Sequence, residues 1–196
     1  MFIVFEGLDG CGKTTQVELL EKKLKENGYK NIKLVREPGS TKVSEEIRNI
    51  LLYNKLTDIQ RLFLFLASRN IVTNEQIIPS IKNGDIVICD RYAPSTLAYQ
   101  GYGKRVADIE LVHKMNNLAC EQIHPDLVIF IDVPVEECVK RMDVEDEMEK
   151  SAIPVYEKIY NGYKQLSKNL NWITVDGTQD IEEVSDKIFN IIKSRL

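Results

Sequence analysis

Residues 7–14 have the types and the spacing needed to bind a polyphosphate. They read G-L-D-G-C-G-K-T and match the pattern G-x-x-x-x-G-K-[ST]. Glycines let such a backbone curl until successive N–H groups point at phosphate oxygens, and a helix that begins at the end of the loop adds its positive end. Lys13 could reach the β- and γ-phosphates of a nucleoside triphosphate, and the Thr14 hydroxyl could hold Mg²⁺. The predicted phosphate loop consists of Gly7, Leu8, Asp9, Gly10, Cys11, Gly12, Lys13, Thr14 and Thr15.

The position of this motif along the chain favours a phosphate loop over a glycine-rich surface turn. The apolar run Phe2–Phe5 predicts a strand directly before it, and Val17, Leu20 and Leu24 fall at i, i+3 and i+7 of a helix directly after it. A match to the motif alone arises by chance. The order strand, loop, helix is the context in which such loops bind phosphate.

Two charged residues, Asp90 and Arg91, come directly after the apolar run Ile86–Cys89. Ligands of parallel sheets bind beyond the carboxyl ends of the strands, so we expect Asp90 beside the phosphate loop, where it could order Mg²⁺ together with Thr14. The alternative for Asp90 is a helix or turn cap. Arg91 could place its forked guanidinium on a second phosphate group.

Further groups that could bind an organic ligand lie on both sides of this strand in the sequence. Arg69 follows Phe65 by one helical turn, which places both residues on one helix face. Residues 90–103, expected to form a loop and a turn, supply the donors, acceptors and aromatic rings that bind a nucleoside. The alternatives are a core aromatic for Phe65, solvated helix ends for the arginines and a turn-rich connection for the segment.

Five short β-branched runs alternate with longer helical patterns and predict the framework that positions these groups. The runs are Phe2–Phe5, Ile32–Val35, Ile86–Cys89, Leu127–Ile131 and Trp172–Val175. This alternation predicts an α/β fold, with a five-stranded parallel sheet flanked by helices on both faces. Because the sequence contains no repeat or Pro/Gly-rich linker, we interpret residues 1–196 as a single domain.

Helical periodicity marks the segments between the strands. Thr57 and Gln60 have the spacing of a capping box, which predicts a long helix that runs through Phe65 toward Pro79. Three further helices are predicted by apolar stripes. The stripes are Val43, Ile47, Ile50 and Leu51; Val155, Ile159, Tyr163, Leu166 and Leu170; and Ile181, Val184, Ile188, Ile191 and Ile192.

Composition argues against several classes of protein. The formal net charge of −4 argues against a broad basic surface for nucleic acid or an anionic membrane. The longest apolar run, Leu62–Ala67, is too short to span a membrane, and Met1–Phe5 lacks the basic start of a signal peptide. Four cysteines without a C-x-x-C pair and two histidines give little support for zinc and favour reduced thiols in the cytoplasm.

At these residues the chain resembles the thymidylate kinase family over nearly its whole length. The matching segments are Phe5–Asp9, Arg36–Thr41, Leu64–Arg69, Asp90–Tyr92, Ser95–Gly101, Pro125–Leu127, Ile131–Val133 and Asp176–Thr178. The resemblance implies a three-layer P-loop NTPase fold and an enzyme that phosphorylates dTMP to dTDP with ATP and Mg²⁺. It also implies a homodimer, whose contact could come from the apolar helices near residues 43–52 and 57–79.

The resemblance assigns a pocket for the acceptor base. Phe65 would stack on the thymine ring, and Pro38 would wall the base near its methyl group. Arg69 would hydrogen-bond the base, and Ser95 and Gln100 would line the same pocket.

The resemblance also assigns groups around the sugar and the phosphates. Arg91 would grip the acceptor monophosphate, and Tyr99 would crowd the 2′ position and so favour deoxyribose. Asp9 would face the 3′-hydroxyl and the acceptor phosphate. Thr178 and Gln179 would lie on the adenine side of ATP.

Residues 141–153 correspond to the lid that closes over ATP, and here the chain departs from the family pattern. Family members whose phosphate loop lacks an arginine usually carry lid arginines, and Gly10 occupies the loop position in question. No arginine occurs from Met142 to Pro154, a segment rich in acidic residues. Arg141 is therefore the expected lid arginine. The expected catalytic residues are Lys13, Asp9, Arg91 and Arg141.

Three other functions stay open from the sequence: another nucleoside or nucleoside-monophosphate kinase (for uridylate, cytidylate or thymidine), a GTPase switch and a noncatalytic ATP-binding protein. Two arginines for a second phosphate favour a monophosphate acceptor over a nucleoside. Residues 54–57 are similar to the guanine-reading pattern N-K-x-D, but Thr57 replaces its aspartate and the segment precedes the third strand. Competition among acceptors and a comparison of GTP with ATP binding separate these alternatives.

Overall fold

The computed structural model describes residues 1–142 and 153–196, which contain a parallel β-sheet. Its five strands are β1 (Phe2–Glu6), β2 (Ile32–Arg36), β3 (Ile86–Asp90), β4 (Leu127–Asp132) and β5 (Ile173–Asp176). They are hydrogen-bonded in the order β2-β3-β1-β4-β5, and every neighbouring pair is parallel. All five strands therefore end at the same edge, where β1 continues into the phosphate loop.

Helices connect the strands. They are α1 (Lys13–Glu26), α2 (Lys42–Tyr53), α3 (Asp58–Val72), α4 (Ile78–Lys82), α5 (Ala93–Thr96), α6 (Ile109–Ala119), α7 (Val135–Arg141), α8 (Ile153–Asn169) and α9 (Ile181–Lys193). One π-helical turn, Thr73–Ile77, joins α3 to α4. Another, Leu97–Gly103, extends α5 toward the start of the next connection.

Alternate residues of β1 point into two separate hydrophobic cores. Ile3 and Phe5 belong to the larger core, which includes residues of α1, α8 and α9. Phe2 and Val4 belong to a second core, which includes the end of α3. A strand with helices on both faces is apolar throughout because neither face meets water. The predicted three-layer fold with a five-stranded parallel sheet is confirmed.

The start of α3 has the predicted capping box. The Thr57 hydroxyl accepts from the Gln60 N–H at 3.3 Å, and the Thr57 N–H donates to Gln60 Oε1 at 2.8 Å. The two reciprocal bonds satisfy backbone donors that the first helical turn cannot pair by itself. They fix the start of the helix that carries Phe65 and Arg69.

The predicted strands agree with the observed ones to within one residue, but the prediction of a loop and a turn after β3 is wrong. Residues 93–103 are helical. The buried Glu6 carboxylate accepts from the N–H groups of Tyr92 at 2.9 Å and Ser95 at 3.2 Å. A side chain on another strand thus satisfies donors at the start of α5, and the local sequence contains no sign of it.

Within the described ranges, no helix combines the length and the apolarity needed to cross a membrane. The four cysteines are buried and form no disulfide. The interpretation of residues 1–196 as a single domain stays a prediction.

Candidate active site

A cavity of about 600 Å³ opens at the carboxyl edge of the sheet, next to the phosphate loop. Its lining combines residues of the phosphate loop, the segment after β2, the helices α2 and α3, and the segment after β3. The predicted site residues that line it are Asp9, Gly10, Gly12, Lys13, Thr14, Thr15, Pro38, Phe65, Arg69, Asp90, Arg91, Ser95, Tyr99, Gln100 and Arg141. Groups predicted for the donor and for the acceptor thus face one chamber.

The phosphate loop is held by its own backbone and by Lys13. The Cys11 N–H donates to the Leu8 carbonyl at 3.3 Å, and Lys13 Nζ donates to the same carbonyl at 2.7 Å. Gly12 precedes α1 with a φ of 96° and provides no side-chain cap. An anion in the cavity would therefore accept hydrogen bonds from the first N–H groups of α1.

Gly10 has no room for a side chain. Its φ is +79°, and a Cβ atom placed on it would lie 2.5 Å from the backbone carbonyl oxygen of Cys138 in α7. Helix α7 therefore packs directly against the phosphate loop. The loop position that carries an arginine in one subgroup of the resembled family is closed here by backbone.

Thr14 and Asp90 meet beside the phosphate loop. The Thr14 hydroxyl donates to Asp90 Oδ2 at 2.6 Å. Asp90 Oδ1 is buried and has no hydrogen-bond partner in residues 1–142 and 153–196. A buried carboxylate oxygen is costly unless an ion or a water satisfies it, and Mg²⁺ prefers oxygen ligands of this kind. The two residues therefore fit a magnesium site.

Asp9, Arg91 and Tyr99 form a hydrogen-bonded group on the cavity wall. Arg91 Nη2 donates to Asp9 Oδ1 at 2.7 Å, and the Tyr99 hydroxyl donates to Asp9 Oδ2 at 2.9 Å. Burial acts to raise the pKa of Asp9, but the positive charges of Arg91 and Lys13 hold it at about 2. Asp9 is therefore ionised at neutral pH and is a poor proton acceptor.

Arg91 is oriented by four side chains. Besides Asp9 and Tyr99, its Nη1 donates to Ser95 Oγ at 3.0 Å and to the Tyr163 hydroxyl at 3.1 Å. The guanidinium also lies over the Tyr99 ring, 5.2 Å from its centroid. A positive charge is thus preorganised at the cavity wall, where it could bind an anion with little rearrangement.

Glu6 supports this group from the end of β1. Its fully buried carboxylate accepts from the Ser95 hydroxyl at 2.6 Å and from the Tyr163 hydroxyl at 2.9 Å. Burial raises the pKa of Glu6, and the charge of Arg91 opposes that rise. Because Tyr163 belongs to α8, Glu6 ties this helix to the site. In the sequence Glu6 was only part of a matching segment, and Tyr163 only part of a helical stripe.

Arg69 lines the cavity, although its side chain is only 3% exposed. Its Nε donates to Glu37 Oε2 at 2.8 Å. Its Nη1 donates to Thr96 Oγ1 at 2.8 Å and to Asn116 Oδ1 at 2.7 Å, and its Nη2 donates to the Tyr92 carbonyl at 2.9 Å. The sequence did not single out these partners because they come from separate elements.

An aromatic ring, an amide and apolar walls complete the cavity. Phe65 and Pro38 line it together with Leu51 and Leu52 of α2. Gln100, which is 5% exposed, adds the amide. These are the groups that bind a planar heterocycle, since they offer a stacking face and a few placed hydrogen bonds.

Three arginines that the sequence did not single out also line the cavity: Arg36, Arg48 and Arg61. Arg48 Nη1 donates to the Pro38 carbonyl at 3.1 Å, and Arg61 Nη1 donates to the Leu51 carbonyl at 2.9 Å. On a helix, polar residues of this kind are usually part of a solvated face, so only the fold reveals that they meet the cavity.

The residues predicted for the adenine side, Thr178 and Gln179, do not line the cavity. Arg141 connects the cavity with their loop, because its Nη1 and Nη2 each donate to the Gly177 carbonyl at 3.2 Å. Residues 143–152 of the predicted lid lie outside the described residues. The phosphate-loop residues outside the lining are Gly7, Leu8 and Cys11.

Glu37 gives a testable pH dependence of stability. Burial raises the pKa of its carboxyl from 4.5 to about 7, against the attraction of Arg69. The resulting contribution to stability is therefore full below pH 4.5 and is lost as the pH rises through 7. Glu37→Gln mimics the neutral carboxyl and does not titrate. We therefore expect the difference in unfolding free energy between this variant and the unsubstituted protein to change by about 2 kcal/mol in favour of the variant as the pH rises from 5 to 8.

Urea unfolding at pH 5, 6, 7 and 8 in the absence of nucleotide and metal measures this difference. Asp58→Asn is the matched control, since Asp58 forms an exposed ion pair with Lys104 at 2.5 Å. A stability difference between the Glu37→Gln variant and the unsubstituted protein that does not change with pH would contradict the shifted pKa.

A phosphate loop between β1 and α1, at the carboxyl edge of a parallel sheet of this strand order, defines a P-loop NTPase fold. A model of the family described as thymidylate kinase matches residues 5–188. The chain belongs to the thymidylate kinase family, whose members phosphorylate dTMP to dTDP using ATP.

Individual relatives agree with this membership over their whole length. The chain is 43% identical to the thymidylate kinase of Fervidobacterium nodosum, with all of both chains covered. It is 45% identical to that of Thermosipho melanesiensis, with 100% of this chain and 99% of the relative covered. The crystal structure of thymidylate kinase from Ehrlichia chaffeensis superposes with a TM-score of 0.78 at 34% identity and covers 98% of each chain.

Proposed function

We propose that this protein transfers the γ-phosphoryl group of ATP to dTMP and so produces ADP and dTDP. The observation that carries the proposal is one cavity in which Lys13 and Thr14 of the phosphate loop face Arg69 and Arg91 on the acceptor side. Membership of the thymidylate kinase family supports the same reaction.

The triphosphate of ATP binds the phosphate loop. The N–H groups at the start of α1 donate to its oxygens, and Lys13 exchanges its bond to the Leu8 carbonyl for one to a phosphate oxygen. Thr178 and Gln179 contact the adenine side. Arg141, at the start of the lid, leaves the Gly177 carbonyl and contacts the transferring phosphoryl group.

Thr14 and Asp90 would hold the magnesium ion that accompanies ATP. The free Oδ1 of Asp90 is the oxygen that an ion or one of its waters would satisfy. When bound, the ion would supply positive charge that offsets the charge of the phosphates.

The acceptor base binds between the Phe65 ring and Pro38, with its edge toward Arg69 and Gln100. A planar ring packs well against an aromatic face, and the guanidinium and the amide supply the hydrogen bonds that fix its orientation. Ser95 lies beside this pocket and accepts a hydrogen bond from Arg91 at 3.0 Å. Base recognition and phosphate recognition are therefore connected through one side chain.

Arg91 binds the acceptor phosphate, Tyr99 restricts the space at the 2′ position and Asp9 orients the sugar 3′-hydroxyl. An oxygen of the acceptor phosphate attacks the γ-phosphorus in line, while the bond from that phosphorus to the β–γ bridging oxygen breaks and ADP leaves. The attacking oxygen is already anionic at neutral pH, so no strong general base is needed. The pKa of about 2 at Asp9 fits an orienting role.

A coupled ADP-release assay with MgATP tests this function. Acceptors are dTMP, dUMP, dCMP and thymidine, and a reaction without acceptor measures ATP hydrolysis. We expect the highest kcat/KM with dTMP and no turnover of thymidine, which lacks the phosphate that Arg91 binds. Failure of the folded protein to convert dTMP would overturn the proposal. Stronger stabilisation by GTP than by ATP in thermal unfolding would indicate a GTPase instead.

A homodimer is also proposed, with α2, α3 and α6 at the interface. These helices carry large apolar side chains that are more than 40% exposed in the single chain, and large apolar patches mark interaction surfaces. The residues are Val43, Ile50, Leu52, Tyr53, Ile59, Phe63, Leu111 and Leu118. We expect light scattering to give twice the 22.5 kDa mass of one chain. We expect Phe63→Glu to weaken the dimer. If the unsubstituted protein is a monomer at micromolar concentration, the proposed homodimer is wrong.

A further inference from the structure

Glu37 is a buried acid that the proposed reaction does not yet use. Glu37 lies between the end of β2 and Pro38 in the chain. It is 4% exposed, yet it lines the cavity. Oε2 accepts from Arg69 Nε at 2.8 Å, whereas Oε1 is buried without a hydrogen-bond partner in the described part of the chain. Half-satisfied buried carboxylates are costly, so this one points to a functional role.

The hydrogen bonds of Arg69 leave one donor for a ligand. A guanidinium has five N–H donors. Nε donates to Glu37, both Nη1 hydrogens are used by Thr96 and Asn116, and one Nη2 hydrogen is used by the Tyr92 carbonyl. The plane of the guanidinium is therefore fixed, and because Arg69 lines the cavity, the second Nη2 hydrogen is the donor that remains for a ligand there.

We propose that Glu37 is a positioning residue that holds the Arg69 guanidinium so that its free Nη2–H meets a carbonyl oxygen of the acceptor base. The inference rests on the proposed function. The contact between Arg69 and the base is part of that function, and the inference adds the residue that fixes its direction. A base with an oxygen at this edge, such as the O4 of thymine or uracil, would accept from this donor. Cytosine has an amino group at that position, and two opposed donors would leave both unpaired.

Among these partners of Arg69, Glu37 alone carries a charge, and it does so above its raised pKa of about 7. Thr96 and Asn116 offer neutral oxygens, and Tyr92 offers a backbone carbonyl. All of these bonds are charge-assisted because Arg69 is a cation, but only the bond to an ionised Glu37 adds the attraction of an opposite charge, so Glu37 contributes most to the orientation. The Glu37 carboxylate also compensates the buried positive charge of Arg69. Arg69 can then offer its remaining N–H to a ligand without being an unpaired buried cation.

Steady-state kinetics of Glu37→Gln, Glu37→Asp and the control Asp58→Asn at pH 8, where the Glu37 carboxyl is ionised, test this inference. For Glu37→Gln we expect the KM for dTMP to rise about tenfold, which is the loss of one charge-assisted hydrogen bond. The kcat and the KM for ATP stay within about twofold, and the ratio of kcat/KM for dTMP to that for dCMP falls about tenfold. Glu37→Asp keeps the charge, so we expect its KM for dTMP to lie between those of Glu37→Gln and the unsubstituted protein.

The outcomes separate the inference from the function on which it rests. If the unsubstituted protein does not phosphorylate dTMP, the proposed function fails. If it does, and Glu37→Gln behaves like Asp58→Asn, Glu37 does not position Arg69. A fall in kcat with both substrates and no recovery in Glu37→Asp would show a general structural role and would also overturn the inference. Thermal unfolding of each variant confirms that folded enzyme is compared.

Discussion

Replacing Lys13 with alanine is expected to lower kcat by about two orders of magnitude or more. In the proposed complex its ammonium neutralises charge that develops on the transferring phosphoryl group, and loss of one such group has an effect of this size. Lys13 is 6% exposed, and its Nζ lies at the cavity wall with the Leu8 carbonyl and the Cys11 sulfur as partners. Saturating MgATP and dTMP in the coupled assay measure the change.

Lys25→Ala is the matched control for this substitution. Lys25 lies on the same helix, α1, and forms an exposed ion pair with Glu21 at 2.8 Å. We expect its removal to leave kcat unchanged. Near-normal turnover by Lys13→Ala would show that the phosphate loop does not act as proposed.

Arg91→Ala is expected to lower kcat/KM for dTMP by about a thousandfold while ATP still binds. The substitution removes the proposed partner of the acceptor phosphate and leaves Asp9 without its ion pair at 2.7 Å. In the proposed complex Arg91 and the acceptor phosphate form a desolvated charged pair, and loss of one member of such a pair costs about 2–5 kcal/mol, which covers an effect of this size. Kinetics with varied dTMP and calorimetric titration of ATP without acceptor measure the two quantities separately.

Two further variants define the cause of the Arg91 effect. Arg91→Lys keeps the charge but loses the fork that bonds Asp9 and Ser95 together, so we expect an intermediate loss. Arg195→Ala, near the C-terminus, removes an exposed arginine that bonds the Ile191 carbonyl and should have no effect. A collapse of ATP affinity in Arg91→Ala would place this residue on the donor side.

Local signals in the sequence were sufficient to predict the sheet and the phosphate loop. The strand β1 is apolar because both of its faces are covered, and the capping box at Thr57 is complete within four residues. The phosphate loop is a contiguous motif whose geometry depends on its own glycines. Each of these features has a signal within a short stretch of sequence, even where it packs against distant elements, which is why its position could be predicted to within one residue.

The parts of the site that were not predicted depend on contacts between distant segments. The helix at residues 93–103 needs the Glu6 carboxylate on β1 to satisfy its first N–H groups. Glu37 has no visible role until Arg69 of α3 reaches it, and Arg48 reads as part of a polar helix face. The helix α6, which supplies a partner of Arg69, was not predicted either.

The absence of space at Gly10 has a consequence for how this chain could change over generations. The Cys138 carbonyl occupies the place of a side chain there, so a single substitution cannot introduce an arginine at this position of the phosphate loop. Helix α7 would first have to withdraw, and because it ends at Arg141, the shift would move the proposed lid arginine away from the phosphates before the loop carried an arginine of its own. We therefore expect the loop and α7 to be inherited as a unit. A chimera that takes only one of these two segments from a family member with a loop arginine is expected to be inactive.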